Sequence, residues 1–310
     1  MTITQLQYIV AVDNYRHFAK AAEACHVTQP TLSMQIHKLE EELGVLLFDR
    51  SKQPVKPTDL GQKIIEQART IINESEKVFQ LTQEATGHFE GTFKLGIIPT
   101  ISPFLLPRFA KKISAKMPDV EIVIEELQTE QIIEKLRKDQ LDAGILATPL
   151  DEQSIVERPV YYEPFTAYVP QGHRLANEEF ILNSELSPDD MLLLNEGHCF
   201  RNSVLNLCGK PGVTAHSNIQ FESGQFDTLI KLADNGFGMT LIPYLAALDL
   251  EGEHRGHVKP IADPKPTREI SLVYSRTQLK INLIETLANI IQSSIPEKLL
   301  EKSKDIVSPV

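Results

Sequence analysis

The sequence predicts an α+β multidomain chain, with an amino-terminal helix-turn-helix, a long linker helix and a two-lobed α/β domain. Three observations predict it. Residues 1–58 read as short helices with tight connections, residues 60–85 carry one uninterrupted polar helix pattern, and from residue 93 short β-branched runs alternate with helical stretches. The 310 residues give room for about two domains, and 42% apolar with 24% charged residues excludes a disordered or coiled-coil-only protein.

Helices are expected at Ile3–Asn14, Phe18–Cys25 and Gln29–Leu43, followed by a Pro-containing segment, Arg50–Thr58. In the third helix Leu32, Ile36, Leu39 and Leu43 form a narrow stripe that can bury against the second. Thr28 can cap its start, and Pro30 in the first turn loses no helical hydrogen bond. The opposite arc carries Pro30, Ser33, Met34, His37 and Lys38, flanked by Thr31 and Gln35. A helix-turn-helix places the start of its second helix in the major groove, where short hydroxyl and amide side chains reach base edges. Gln29, Pro30, Thr31, Ser33, Gln35 and Lys38 are therefore candidate DNA-binding residues.

An ordinary helical hairpin with a solvated face is the alternative. Charge argues against it: residues 1–58 hold six basic and six acidic side chains, a neutral head on a chain of net charge −11. Arg50, Lys52 and Lys56 also share one loop with no acid between them, as in a wing that grips backbone phosphate. Arg50 and Lys52 join the candidate DNA contacts.

Along the linker helix Ile64, Ala68, Ile71, Ser75, Val78, Thr82 and Ala85 alternate spacings of four and three, the seam of a coiled coil. A pairing helix is expected, the alternative being a helix lying on its own domain; Gly87 and Gly91 end it. Beyond it, strands are expected at 93–98, 120–127 and 141–147, with helices at 104–117 and 130–138. The pattern resumes with strands at 165–170, 191–194, 219–222, 239–242 and 270–274 and helices at 226–235 and 281–293. This alternation implies a parallel sheet with crossover helices, folded as two lobes facing a cleft. The expected domains are 1–58, 59–87 and 88–310, with lobe 1 at about 88–164 and 268–300 and lobe 2 at about 165–267.

No apolar stretch reaches the roughly 18 residues that span a bilayer, and the start has neither a basic leader nor an apolar export core, so a soluble cytoplasmic protein without a membrane partner is expected. Three cysteines, Cys25, Cys199 and Cys208, are too few and odd in number for a disulfide framework. Cys25 lies on the packed side of its helix and reads as core filling.

Three readings compete for Cys199 and Cys208. A metal site needs two more ligands, which His173 and His216 do not supply in a recognisable set, so no metal or cofactor is expected. Two unrelated buried thiols are the second reading. The third is a redox switch: His198 and Arg201 beside Cys199 can supply positive charge and N–H donors that lower the thiol pKa. If residues 200–207 are helical, the two cysteines stand too far apart to bond unless that segment unfolds and repacks.

The run Phe18-Ala-x-Ala-Ala-x-x-x-x-Val27-Thr28-Gln29-Pro30-Thr31-Leu32-Ser33-x-Gln35-Ile36-x-x-Leu39-Glu40-x-x-Leu43-Gly44-x-x-Leu47-Phe48-x-Arg50 resembles the DNA-binding signature of the LysR-type transcriptional regulators, and Thr58 and Gly61 extend the match. Gly238-Met-Thr-Leu-Ile-Pro243 resembles their two-lobed, periplasmic-binding-protein-like effector domain. The resemblance implies winged heads paired through the linker helix into a homodimer, usually within a homotetramer, on a double-stranded DNA operator. Gly197-His-Cys-Phe-Arg201 with Cys208 resembles the peroxide-sensing branch of the family. That implies Cys199 as the peroxidatic thiol, Cys208 as the resolving one, and hydrogen peroxide as the signal. It also implies a pocket with hydroxyl groups, which Thr100 and Thr129 could supply, as could helix caps at the same positions. A thiol reductant of glutaredoxin or thioredoxin type is a further expected partner, with RNA polymerase a candidate contact and no catalytic turnover. The sequence departs from enterobacterial members at Asn202-Ser-Val-Leu-Asn-Leu207, which lacks an acidic residue after the Arg. A regulator that binds a metabolite in the lobe cleft and a thiol peroxidase are the rival readings.

Overall fold

The structure, a computed structural model, describes residues 1–86, 90–208, 223–303 and 305–309, and the side chains of all of these except 76, 77 and 79–86. The chain divides into two compact units, residues 1–89 with 277–280, and 90–276 with 281–310.

The first unit opens with α1 (Ile3–Tyr15), α2 (Phe18–Ala24) and α3 (Gln29–Leu43), then β1 (Phe48–Asp49) paired antiparallel with β2 (Lys56–Pro57), and α4 (Asp59–Thr86). Each helix start has its cap. Thr2 forms a capping box with Gln5, and Thr28 caps α3 with Pro30 in its first turn. Leu32, Ile36 and Leu39 are fully buried against Ile9, Val12 and Ala21, whereas Leu43, expected in the same stripe, is 37% exposed in the last turn of α3. The wing hairpin is tied to α3 by Glu40, whose buried carboxylate accepts from the Leu47 N–H and from Arg50 Nη2, both at 2.8 Å.

Thr58 and Gly61 are where the wing meets α4. The Thr58 hydroxyl donates to the Leu46 carbonyl and accepts from the Gly61 N–H, and any Cβ on Gly61 would stand 2.1 Å from the Leu47 carbonyl oxygen. Only glycine admits that approach. The seam expected on α4 is divided in the structure. Ala68 is buried, with Ile65, in the core of the head, and Arg69 binds Asp13 and Asn14 of α1, whereas Val78 is 64% exposed. The first half of α4 thus lies on its own domain, the alternative that the sequence left open.

The second unit contains β3 (Gly91–Ile97), α5 (Ser102–Lys116), β4 (Val120–Glu126), α6 (Thr129–Arg137), β5 (Ala143–Thr148), β6 (Ile155–Tyr168), α7 (Cys199–Cys208), α8 (Phe226–Asp234), β7 (Thr240–Pro243), α9 (Tyr244–Asp249), α10 (Glu253–Gly256), β8 (Val258–Pro260), β9 (Thr267–Ser275) and α11 (Ile281–Gln292). Strands follow the order β4-β3-β5-β9-β6-β7, with β8 also on β6. The expected parallel sheet holds for β3 with β4 and β5 and is corrected elsewhere: β5–β9, β9–β6, β6–β7 and β6–β8 are antiparallel. β9 returns late in the chain and enters against β5, so a local βαβ pattern could not show its direction.

β6 is a single long strand whose partners change along its length. Residues 155–164 pair with β9, Phe165–Tyr168 pair with β7, and Thr166–Tyr168 pair on their other side with β8. The strand expected at 191–194 is corrected to two isolated bridges, Met191 to Met239 and Leu194 to Ser223. The strand expected at 219–222 lies outside the described residues. One core of this unit gathers Phe165, Tyr168, Phe200, Val204, Phe226 and Leu241 and is the bed on which α7 rests.

Candidate functional site

Two sets of residues are built into these frames. On α3, Gln29, Pro30 and Lys38 are exposed, and Thr31, Ser33 and Gln35 are partly so. Pro30, Ser33, Lys38 and Arg50 line one open hollow of about 560 Å³, into which Glu41 also projects. Other expected contacts are engaged within the head. The Thr31 hydroxyl bonds that of Thr28 at 2.8 Å, Gln35 accepts from Gln5 at 3.3 Å, and Lys52 pairs with Asp49 at 3.4 Å. Arg50 is more than a wing charge, since its guanidinium pairs with Glu40 and lies 5.2 Å over the Phe18 ring while the side chain stays 40% exposed.

The second set surrounds Cys199. Leucine and phenylalanine packing seats α7 with Cys199 as its first residue and Cys208 as its last, and all three cysteines are reduced thiols. Gly197, just before it, has φ +89°, and a Cβ there would meet the Gln128 side chain at 2.6 Å. Gln128 and Thr129 start α6 after β4, and Thr100 follows β3, so both threonines come from the carboxyl ends of parallel strands.

Burial pushes the Cys199 thiol up, while the Arg268 guanidinium, the Thr129 hydroxyl and the Phe200 N–H act in the opposite direction and Glu130 adds to the rise. Thr129 Oγ1 is buried and makes no conventional hydrogen bond; the Cys199 sulfur is the group that it acts on. A thiolate here would also stand at the positive end of α7.

The expected activators are corrected. His198 is buried, and desolvation pushes its imidazole down, with Glu126 opposing, so it is uncharged at neutral pH. Arg201 turns away and donates to the Leu194 carbonyl at 2.7 Å. The cation at Cys199 is Arg268, which sequence reasoning missed. It is 2% exposed, donates to Thr100 Oγ1 at 3.2 Å and to the Thr100 carbonyl at 3.1 Å, and its guanidinium lies 5.1 Å over the Phe200 ring. Accepting from Arg268 leaves the Thr100 hydroxyl its own proton to donate. The sequence offered only a weak signal, an arginine just before the expected strand 270–274, since its buried partner Glu163 lies 105 residues away.

Cys208 is half-buried at the far end of α7, its thiol donating to the Val204 carbonyl at 3.0 Å and raised by burial. Nine residues of helical rise separate the two Cα atoms by about 13 Å. A disulfide needs less than about 7 Å. The intervening segment is held by the carboxyl-terminal residues: Ser203 and Asn206 donate to the Ser308 carbonyl, Asn202 donates to the Pro309 carbonyl, and Val307 is buried in the core beneath.

Comparison with known proteins agrees with this division. Residues 3–62 match the family model described as bacterial regulatory helix-turn-helix protein, lysR family, and residues 86–295 match the LysR substrate binding domain. The hydrogen peroxide-inducible genes activator of Haemophilus influenzae is 36% identical over 297 residues, 95% of this chain and 97% of that protein. The DNA-binding transcriptional dual regulator OxyR of Escherichia coli K12 is 35% identical over 294 residues, 94% of this chain and 95% of its own. Among solved structures, a full-length cysteine-to-aspartate variant of OxyR from Pseudomonas aeruginosa aligns with a TM-score of 0.79 at 34% identity, covering 95% of this chain and 99% of that one. A peroxide-bound cysteine-to-serine variant of OxyR from Corynebacterium glutamicum aligns with a TM-score of 0.63 at 28% identity, covering 99% and 98%. With both of its family domains matched and its length shared with these relatives, the chain belongs to the LysR family of bacterial regulatory helix-turn-helix proteins.

Proposed function

We propose that the chain is a peroxide-responsive transcription regulator whose DNA affinity is switched by a reversible Cys199–Cys208 disulfide. The observation that carries it is the arrangement at Cys199, where a buried thiol at a helix start meets the buried Thr129 hydroxyl and a buried arginine. The names of the relatives support the signal, and a peroxide-bound variant among the similar solved structures supports peroxide as what the site meets.

In the reaction the Cys199 thiolate attacks one peroxide oxygen and the O–O bond breaks. The second oxygen leaves as hydroxide and takes up a proton to become water, giving Cys199 sulfenic acid. Thr129 and Thr100 can donate to the peroxide oxygens, and Arg268 can offset the charge that develops on the leaving oxygen. The Cys208 thiol then attacks the sulfenic sulfur, the S–O bond breaks, and water leaves with the disulfide formed. Since α7 holds the two cysteines about 13 Å apart, closure must unwind it, and oxidation is thereby converted into a new packing. A dithiol reductant of thioredoxin or glutaredoxin type would restore the resting helix.

The heads would bind a partly symmetric operator as a dimer joined through α4, where Val78 is exposed, and as a tetramer of two such dimers, in position to meet RNA polymerase. The test is an operator footprint with and without peroxide, alongside the mass of peptides joining residues 199 and 208. The footprint is expected to change in the wild type and to stay fixed in Cys199→Ser. Thr129→Val should slow thiol loss about tenfold without lowering the Tm, because the buried hydroxyl acts on the Cys199 sulfur and makes no other hydrogen bond. A peroxide-dependent footprint that persists in Cys199→Ser would overturn the proposal.

A further inference from the structure

Away from Cys199, the second unit carries a cluster that the switch does not use. Asp234 is the last residue of α8, His254 lies in α10, His257 follows it, and Tyr168 ends β6. The two histidines stand three residues apart, so one helical turn presents both rings on one face. Their Nδ1 atoms and a carboxylate oxygen of Asp234 all lie within 4.8 Å of one another. The Tyr168 hydroxyl rises from the buried side to meet all three, at 2.7 Å from Asp234 Oδ1, 2.8 Å from His254 Nδ1 and 3.1 Å from His257 Nδ1. Asp234 lies 3.2 Å from His254 Nδ1 through one oxygen and 3.3 Å from His257 Nδ1 through the other.

We infer that Asp234, His254 and His257 form a binding site for one divalent transition-metal ion of the zinc class, with the Tyr168 hydroxyl beneath holding their donor atoms by hydrogen bonds. In a tetrahedral site with bonds of about 2.0–2.1 Å, ligand atoms stand about 3.3 Å apart. The separations run from 2.7 to 3.3 Å through one or other Asp234 oxygen, and one donor atom from each of Asp234, His254 and His257 lies within 4.8 Å of the others, so rotation of these side chains can bring three donors to bonding distance of one point. The chemistry of the set agrees: imidazole with one carboxylate suits zinc, copper or nickel, and not magnesium or calcium, which take oxygen-only shells. Position adds to it, because Asp234 places a carboxylate at the negative end of α8, where a cation is favoured. Tyr168 is completely buried and can hold its oxygen in place, whereas His254 is half exposed and gives the ion a path in.

Hydrogen bonding alone accounts for the same contacts if both imidazoles carry their proton on Nδ1. Metal binding separates the two accounts. Untagged full-length protein, stripped with chelator and kept reduced, would be titrated with Zn²⁺ by equilibrium dialysis and with Co²⁺ by absorption. The expected result is a Co²⁺ visible spectrum of tetrahedral intensity without the near-ultraviolet thiolate band that cysteine ligands would give. His254→Gln and His257→Gln should each lower the Zn²⁺ stoichiometry by one site while leaving the circular dichroism spectrum and peroxide-driven thiol loss unchanged. His254 is exposed enough that its replacement should fold normally. Zn²⁺ should raise the Tm of the wild type and not that of either variant. Equal Zn²⁺ stoichiometry in wild type and both variants, or a Co²⁺ spectrum dominated by thiolate, would overturn the inference, whether or not the peroxide response holds.

Discussion

Two nitrogens of Arg268, Nε and Nη2, donate to the same oxygen of Glu163, at 2.9 and 2.7 Å, with both side chains almost completely buried. The other Glu163 oxygen accepts from the Leu245 N–H at 2.8 Å, so the carboxylate joins β6, α9 and β9 while balancing the charge that faces Cys199. Breaking such a pair leaves an uncompensated buried charge, at a cost of about 3–5 kcal/mol. Glu163→Gln should therefore lower the Tm and, by leaving Arg268 unbalanced, move the midpoint of Cys199 alkylation to lower pH. Arg268→Met should move it to higher pH and slow thiol loss to peroxide tenfold or more. Midpoints that move together in the two variants would show that charge at Arg268 does not set the thiol.

Because burial holds Cys199 above the ordinary thiol range, its reaction rate should rise about tenfold per pH unit through neutrality and show no plateau below the usual thiol pKa of about 8.5. His198→Gln should leave that profile in place, since the imidazole is already neutral there. The same shift bears on stability. A thiol raised in the folded state binds its proton more tightly there than when unfolded, so its contribution is complete below the unfolded pKa and is lost as pH rises through the folded one. Urea midpoints measured from pH 7 to pH 10 should fall more for the wild type than for a Cys199→Ser, Cys208→Ser double variant.

Residues 305–309 clamp α7 through Ser308 and Pro309 and anchor on Thr267, whose N–H donates to the Asp305 carbonyl at 3.0 Å and whose carbonyl accepts from the Val307 N–H at 2.8 Å. Removing residues 305–310 should free the last turns of α7, and amide exchange over residues 199–208 should then speed up several-fold without change in the head. Disulfide closure after Cys199 oxidation should accelerate in parallel. Unchanged exchange in that segment would mean that α7 is held by its core face alone.

In the head, Lys52→Ala should weaken operator binding evenly across sequences and lower the salt slope by about one. Ser33→Ala should cost about 0.5–1.5 kcal/mol on the cognate operator and relax discrimination at one base pair. Arg50→Ala should do what Lys52→Ala does and also lower the Tm of the head, because Glu40 loses its partner. Fluorescence anisotropy at several salt concentrations on matched and single-mismatch duplexes separates these effects.

Local chemistry is what a sequence states directly, and here that covered the head and the location of the thiols. Thr28, Pro30 and the Leu32–Ile36–Leu39 stripe act within a few residues of one another, so the start and buried face of α3 follow from spacing alone. Cys199 and Cys208 stood out through the resemblance of Gly197–Arg201 to the peroxide-sensing branch of the family, since spacing alone left three readings open. Direction of pairing and source of charge were decided by the tertiary structure. Whether β9 runs with or against β5 depends on where a returning chain enters the sheet, and no hydrophobic period reports it. His198 and Arg201 are close to Cys199 in sequence, but burial neutralises one and a backbone carbonyl draws the other away. The charge that reaches the sulfur belongs to Arg268, brought there by a buried pair whose members are 105 residues apart. Proximity along the chain sets which side chains are available to a site, whereas burial and long-range pairing set which of them carries charge there.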